Sequence, residues 1–226
     1  MRVLVACEES QAVCKAFREL GHEAYSCDVQ PCSGGYPQWH IMGDVLQIIN
    51  GGCLFGTQND EIHQITTKWD LIIAHPPCTY MSNAGACRMY PRKGQIDEER
   101  FAKAMKAKNF FMQFYNADCE RICIENPVPL TVVGLPEKSQ VIQPYEYGHP
   151  YTKKTYLWLK GLPNLKPTNV IDPVGPYVCG NSEIWKKQAA KGVVYGKEKS
   201  AKHRSKTFDG WAKAMAEQWG GIVNET

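Results

Sequence analysis

No stretch of about 18 or more apolar residues, the length a membrane-spanning helix needs, occurs anywhere in the 226 residues. The opening run Met1-Arg2-Val3-Leu4-Val5-Ala6-Cys7 meets Glu8 and Glu9 before it reaches the length of a signal peptide. A cytoplasmic protein with no membrane partner is therefore expected. A strong charge of either sign is also missing: 26 Lys and Arg stand against 23 Asp and Glu, and a net charge of +3 neither establishes nor excludes a nucleic-acid partner. Internal repeats and low-complexity tracts are absent, which excludes solenoid and fibrous architectures. With 43% hydrophobic residues the chain is not a disordered one. Zinc-ligand spacing is lacking too. The ten cysteines are scattered, and the closest pairs, Cys27/Cys32 and Cys119/Cys123, have no second pair or histidine cluster beside them. They read mostly as reduced thiols, with neither a metal site nor a secreted disulfide framework.

What the chain does have is a regular alternation of apolar strand-like runs and helical periodicity. Arg2 to Cys7 reads as a strand, Ala12 to Leu20 as a helix stopped by Gly21, and His22 to Asp28 as a second strand ending in an acid. A Gly/Pro-rich loop, Ser33 to Pro37, leads to a third short run, Ile41 to Val45. Trp69 to His75 has the look of a buried strand and runs straight into Pro76-Pro77-Cys78. Helical spacing returns from Asp97 to Asn116, another buried run ends at Glu125-Asn126-Pro127, and Thr155 to Leu159 forms a late strand. The segment around Gly51 to Lys68 yields no assignment. The alternation predicts an α/β fold with a doubly wound, mostly parallel sheet, whose ligands sit beyond the carboxyl ends of the strands. Residues 1–160 are read as a catalytic core and 161–204 as a small, irregular, basic insertion. Residues 205–226 are read as a C-terminal helix returning to the core, with Trp211, Ala214, Met215 and Trp219 on one face.

Two strand ends carry candidate chemistry. Two prolines forbid a central strand from continuing and make a rigid loop that would hold Cys78 at the sheet edge, although a reduced core thiol is the plainer reading of any one cysteine. Glu125-Asn126-Pro127 would bring a carboxylate and an amide to that edge, although Asn-Pro alone is a common turn opener. A thiol and an acid held together suit nucleophilic attack on an electron-poor ring with protonation elsewhere on it. The first strand lacks the G-x-G-x-x-G cradle of dinucleotide folds and carries Ala6-Cys7-Glu8-Glu9-Ser10-Gln11 instead, which argues against NAD. Asp28 and Asp44, at the ends of the second and third strands, suit a ribose hydroxyl pair and an adenine amino group, or else cap turns. A small adenosine cofactor fits better.

These residues bring a family into view. Pro76-Pro77-Cys78-Thr79-Tyr80-Met81-Ser82-Asn83-Ala84-Gly85 resembles the Pro-Cys nucleophile loop of the DNA cytosine-5 methyltransferases, and Glu125-Asn126-Pro127 resembles their Glu-Asn-Val motif. Weaker similarities are Tyr147 to Thr155, like the family's Gly-x-Pro-Gln-x-Arg-x-Arg segment, and the closing helix from Lys206 to Gly220. The resemblance, to a compact phage-type member, implies a Rossmann-like methyltransferase fold, S-adenosyl-L-methionine as cofactor and DNA as partner. It implies that Cys78 attacks carbon 6 of cytosine, that Glu125 contacts ring nitrogen 3, and that Asn126 braces the loop. Cys7, Glu8, Ser10, Asp28, Asp44 and Pro76 would line the cofactor site, and Ser82, Lys153, Lys154, Thr155 and Arg204 the substrate side. A target base inside a duplex must leave the stack to be reached.

The chain departs from the family in its first loop, which lacks Phe-x-Gly-x-Gly-Gly. It departs again where Lys153 and Thr155 replace an arginine pair. Only the stretch 160–205 separates the late strand from the closing helix, little room for a target-recognition domain. A basic tract from Lys186 to Lys206, with Trp185 and Tyr195 interleaved, reads either as a phosphate-contacting surface or as a solvated loop. RNA or a free pyrimidine nucleotide is therefore an alternative substrate for the same chemistry, and a non-catalytic nucleotide-binding module is a third reading. His75-Pro76-Pro77-Cys78 also sits where amino-group methyltransferases carry Asp/Asn-Pro-Pro-Tyr, but its last residue is no aromatic.

Overall fold

Strand β1 (Arg2–Ala6) is buried from Val3 to Ala6, so both of its faces must be covered, and a central place in a parallel sheet satisfies that. In the computed structural model, which describes residues 1–177 and 206–221, β1 is the third of seven strands. Helix α1 (Ala12–Glu19) leads to β2 (Glu23–Asp28), and β3 (His40–Met42) forms one edge. On the other side of β1 lie β6 (Leu71–Ala74) and then β7 (Ile122–Pro127), reached through a short helix α2 (Ala86–Met89) and the long helix α3 (Glu98–Tyr115). These five strands are parallel, in the order β3-β2-β1-β6-β7. The sheet is completed by β10 (Thr155–Lys160), antiparallel to β7, and by β8 (Gln140–Ile142) at the far edge, antiparallel to β10. The architecture is α/β, Rossmann-like and doubly wound, as the alternation predicts.

Successive residues of a strand face opposite sides, and the two cores follow that period. Leu4, Ala6, Tyr25, Cys27, Ile72 and Ala74 pack against Phe111 and Phe114 of α3. Val3, Val5, Ala24, Leu71 and Ile73 pack on the opposite face against Phe17 of α1 and against α4 (Asp209–Gly220), whose Trp211, Met215 and Trp219 are fully buried. The face read from the sequence of the closing helix is the one that enters the core.

The unassigned stretch is a hairpin of β4 (Cys53–Gly56) and β5 (Ile62–Ile65). Only Phe55 and Ile65 of its eight residues are buried. Strands of four residues with one buried side chain each leave no readable period. Beyond the insertion boundary, β11 (Gly175–Pro176) pairs with β9 (Tyr151–Thr152). No described helix is long and apolar enough to cross a membrane.

Candidate active site

The strand order reverses between β1 and β6, so the crevice beyond their carboxyl ends is where a doubly wound sheet receives ligands. The loops at that point are Cys7–Gln11 and His75–Ser82. Ala74 of β6 pairs with Ile124 of β7, which brings the next residues, His75 and Glu125, side by side. Their side chains are 8% exposed each, and His75 Nδ1 lies 3.0 Å from Glu125 Oε2. The antiparallel register of β10 sets Leu157 opposite Glu125 and Thr155 opposite Pro127, carrying Lys153 to the same edge.

The Pro-Pro-Cys loop is sewn to the chain that follows β7. Asn126 Nδ2 donates to the Pro76 carbonyl at 2.8 Å. The Cys78 carbonyl accepts from the amides of Met81 and Ser82 at 3.0 and 2.9 Å, closing a turn. Asn83 N donates to Val128 O and Leu130 N to Met81 O, with a bridge between Ser82 and Pro129. Cys78 is thereby fixed at the crevice, half-buried, rather than sunk in the dry core. Ser82 is buried and contributes its amide to the turn. Beside this loop, Arg100 of α3 donates to the Thr79 carbonyl at 2.8 Å, and Arg100 and Lys103 stand 5.2 and 5.8 Å from the Tyr80 ring centroid.

Charge couples these groups. Burial raises the Cys78 thiol pKa and the charge of Glu125 adds to it, while Lys153 and a local backbone hydrogen bond oppose; the net direction is up. The raised value favours the protonated thiol, so any nucleophilic use of Cys78 would require loss of its proton. Burial alone would raise Glu125, yet the hydrogen bond from His75 and the positive charges of Lys153 and His75 hold its carboxyl below the usual value. Burial likewise opposes protonation of His75, but the hydrogen bond to Glu125 and the charges of Glu125 and Glu8 outweigh it, and the imidazole pKa is raised. Both shifts favour the charged form of each partner.

The first loop is built differently from a glycine cradle. Cys7 adopts φ 59°, a left-handed conformation unusual for a residue with a Cβ. Glu8 is buried, and its two oxygens accept from Val13 N at 2.7 Å and Cys14 N at 3.2 Å, so its carboxylate caps α1. Ser10 is half-buried beneath the loop that follows β2. There Gly34 packs so closely that a Cβ would lie 2.6 Å from the Ser10 carbonyl, and Gln11 exchanges hydrogen bonds with both the amide and the carbonyl of Tyr36. Asp28 accepts from Gln30 N at 2.9 Å and Asp44 from Leu46 N at 3.0 Å, each with one oxygen. Burial, then Asp28, Cys27 and Asp44, push the Cys7 thiol up, which places both aspartates near Cys7 at the carboxyl ends of β1 to β3.

At the turn before β10, Lys153 has its ammonium 5.6 to 6.0 Å from the ring centroids of Tyr177, Phe208 and Trp211. Buried Thr155 donates to the Lys153 carbonyl at 3.0 Å and shapes the turn, and Lys154 is exposed. Arg204 and most of the basic tract lie outside the described residues. The structure thus gathers Cys78, Glu125, Asn126, Pro76, Ser82, Lys153 and Thr155 at one edge, with Cys7, Asp28 and Asp44 adjoining. Sequence reasoning misses His75. A signal for it exists, since it is a titratable residue closing a buried strand directly before Pro76-Pro77. A separate cavity, lined by residues such as Trp69, Asp70 and Arg121, lies at the opposite, amino-terminal edge. Among the described residues no group of three or more metal-ligating side chains occurs.

No protein-family model matches the chain, and no curated protein does. Among solved structures it is similar to a candidate DNA modification methyltransferase encoded within an E. coli prophage, with 12% identity and a TM-score of 0.43. That match covers 81% of this chain and 56% of the other, so the chain spans little more than half of that protein's length. The likeness is distant, and the reading of the site rests on its geometry.

Proposed function

We propose that this chain is a methyltransferase that transfers a methyl group from S-adenosyl-L-methionine to carbon 5 of cytosine in DNA through a covalent Cys78 adduct. The observation that carries the reading is the electrostatic coupling of Cys78 and Glu125 at one crevice, on loops locked together by Asn126 and Pro76. A thiol and a carboxyl group presented together match a ring attacked at one atom and protonated at another. Arg100 and Lys103, flanking Tyr80 beside the nucleophile loop, support a polyanionic substrate.

The cofactor fits the adjoining loops by the chemistry of their donors and acceptors. Asp28 and Asp44 each use one carboxylate oxygen on a backbone amide; in this reading Asp28 would accept from ribose hydroxyls and Asp44 from an adenine amino group. Glu8, turned into α1, is a support of the loop rather than a ligand. The bound cofactor supplies an electrophilic methyl group. Cys78 forms a bond to carbon 6 as it loses its proton, and Glu125 holds ring nitrogen 3 while electron density moves to carbon 5. Asn126 keeps the attacking sulfur in register, and Lys153 offsets the negative charge that gathers around Glu125 and Cys78.

The test is incubation with labelled S-adenosyl-L-methionine and, separately, duplex DNA, RNA and dCMP. Label at carbon 5 of DNA cytosine, lost in Cys78→Ala, is expected. Label confined to RNA or to the monomer would move the substrate and keep the chemistry. Methylation retained in Cys78→Ala overturns the covalent route, and calorimetry without cofactor binding at millimolar concentration overturns the enzyme.

A further inference from the structure

The proposed reaction needs an acid at Glu125, yet the hydrogen bond from His75 and the charges of Lys153 and His75 hold its carboxyl below the usual value. A carboxyl group held ionised by an adjacent imidazolium has no proton of its own to give to ring nitrogen 3. The proton closest to it in geometry is on His75 Nδ1, 3.0 Å from Glu125 Oε2.

We propose that His75 is the proton reservoir of this site, passing its Nδ1 proton to Glu125 as Glu125 protonates ring nitrogen 3, and recovering it when the thiolate departs. The inference rests on the methyltransferase reading and deepens it. His75 acts through Glu125 and is in that sense a positioning residue.

Its surroundings suit the role. Glu125 faces it from β7, Glu8 from the loop after β1 and Lys153 from the turn before β10, while Cys78, three residues along its own loop, is coupled to Glu125. Two carboxylates against one ammonium favour the charged imidazole and raise its pKa against the effect of burial. Its second nitrogen, Nε2, is buried and has no hydrogen-bond partner among the described residues, so Glu125 is the one described group that the ring holds by a hydrogen bond.

The step balances. The Nδ1–H bond breaks and an O–H bond forms on Glu125; that proton then passes to nitrogen 3 as the Cys78 S–H bond breaks, its proton going to solvent, and the sulfur–carbon 6 bond forms. The carbon 5–carbon 6 electron pair moves to carbon 5, which would take the methyl group as the donor's methyl–sulfur bond breaks and its electron pair stays on that sulfur as a neutral thioether. Loss of the carbon 5 proton to solvent restores the double bond and expels the thiolate, which takes up a proton. The nitrogen 3 proton returns through Glu125 to His75.

Two measurements on the full chain test this. In histidine-labelled protein followed by NMR, the His75 imidazole should titrate above its ordinary value, and Glu125→Gln should bring it down. A His75 that is neutral throughout pH 6 to 8 overturns the proposal without any substitution at His75. In kinetics with labelled cofactor and duplex DNA, His75→Asn retains a donor near the Nδ1 position but holds no titrating proton. It should lower kcat about 10²-fold or more, with cofactor KM unchanged, and erase the alkaline limb of the pH profile. Wild-type activity together with an unaltered rate and profile in His75→Asn overturns the reservoir and leaves the methyltransferase reading standing. A wild-type protein inactive on DNA, RNA and dCMP alike overturns that reading and the reservoir with it.

Discussion

Asn126 reaches across from the end of β7 to the carbonyl of Pro76 at the end of β6, 2.8 Å away and 50 residues earlier in the chain. This buried bond ties the strand end that carries Glu125 to the loop that carries Cys78. The loop that bears Cys78 is therefore held by a neighbouring strand as well as by its own turn.

Replacing Asn126 by alanine leaves the Pro76 carbonyl buried without its donor. Loss of about 1–3 kcal/mol of unfolding free energy is expected in urea titrations. A misplaced nucleophile should also lower kcat by about 10²-fold with little change in cofactor affinity, measured by methyl-transfer kinetics beside calorimetry.

Cys78 should be a slow thiol. Burial and the charge of Glu125 keep it protonated, so iodoacetamide at pH 7 is expected to label the exposed Cys87 well before Cys78, as peptide mass spectrometry will report. Glu125→Gln removes the adjacent charge and should speed Cys78 labelling while reducing methyl transfer by about 10²–10⁴-fold.

Asp28→Ala and Asp44→Ala test the cofactor side. Each should weaken S-adenosyl-L-methionine binding by about 10-fold or more, the scale of a hydrogen bond to a charged acceptor, with kcat at saturation nearly unchanged. An unchanged Kd by calorimetry would return that aspartate to the role of turn cap.

Stability should depend on pH through the buried pair. His75 has a raised pKa, so its contribution is complete below the ordinary value of 6.5 and is lost as the pH climbs through the raised one. Glu125 has a lowered pKa, so its contribution is present above the ordinary 4.5 and is lost as the pH falls through the lowered one. Wild type should exceed His75→Asn by about 2 kcal/mol near pH 6, and the gap should shrink on the alkaline side of 6.5. A constant gap from about pH 6 to 9 in thermal or urea melts would contradict the assignment.

Much of this site is legible without the fold, because strand ends, proline breaks and helical stripes are local signals. Pro76-Pro77 marks where β6 has to stop, Glu125-Asn126-Pro127 where β7 does, and the Trp211, Met215 and Trp219 stripe marks the buried face of the last helix. Other features leave no local trace. The β4–β5 hairpin buries one side chain per strand, and the reversed direction of β10 is invisible in a run of apolar residues that would suit either orientation. Glu8 reads as a ligand from its place in the first loop. Its engagement with the amides of Val13 and Cys14 depends on how that loop turns back over the start of α1.

The sequence by itself determined the α/β alternation, the positions of the loops at the strand ends, and the residue types available there for chemistry, since each follows from side-chain periodicity and backbone constraints a few residues long. Only the tertiary structure decided that β6 lies between β1 and β7, and hence that His75 meets Glu125, that Lys153 joins them, and that burial beside Glu125 pushes the Cys78 thiol up. Strand order and ionisation are set by packing and burial among segments tens of residues apart, and no local pattern encodes a distance across a sheet.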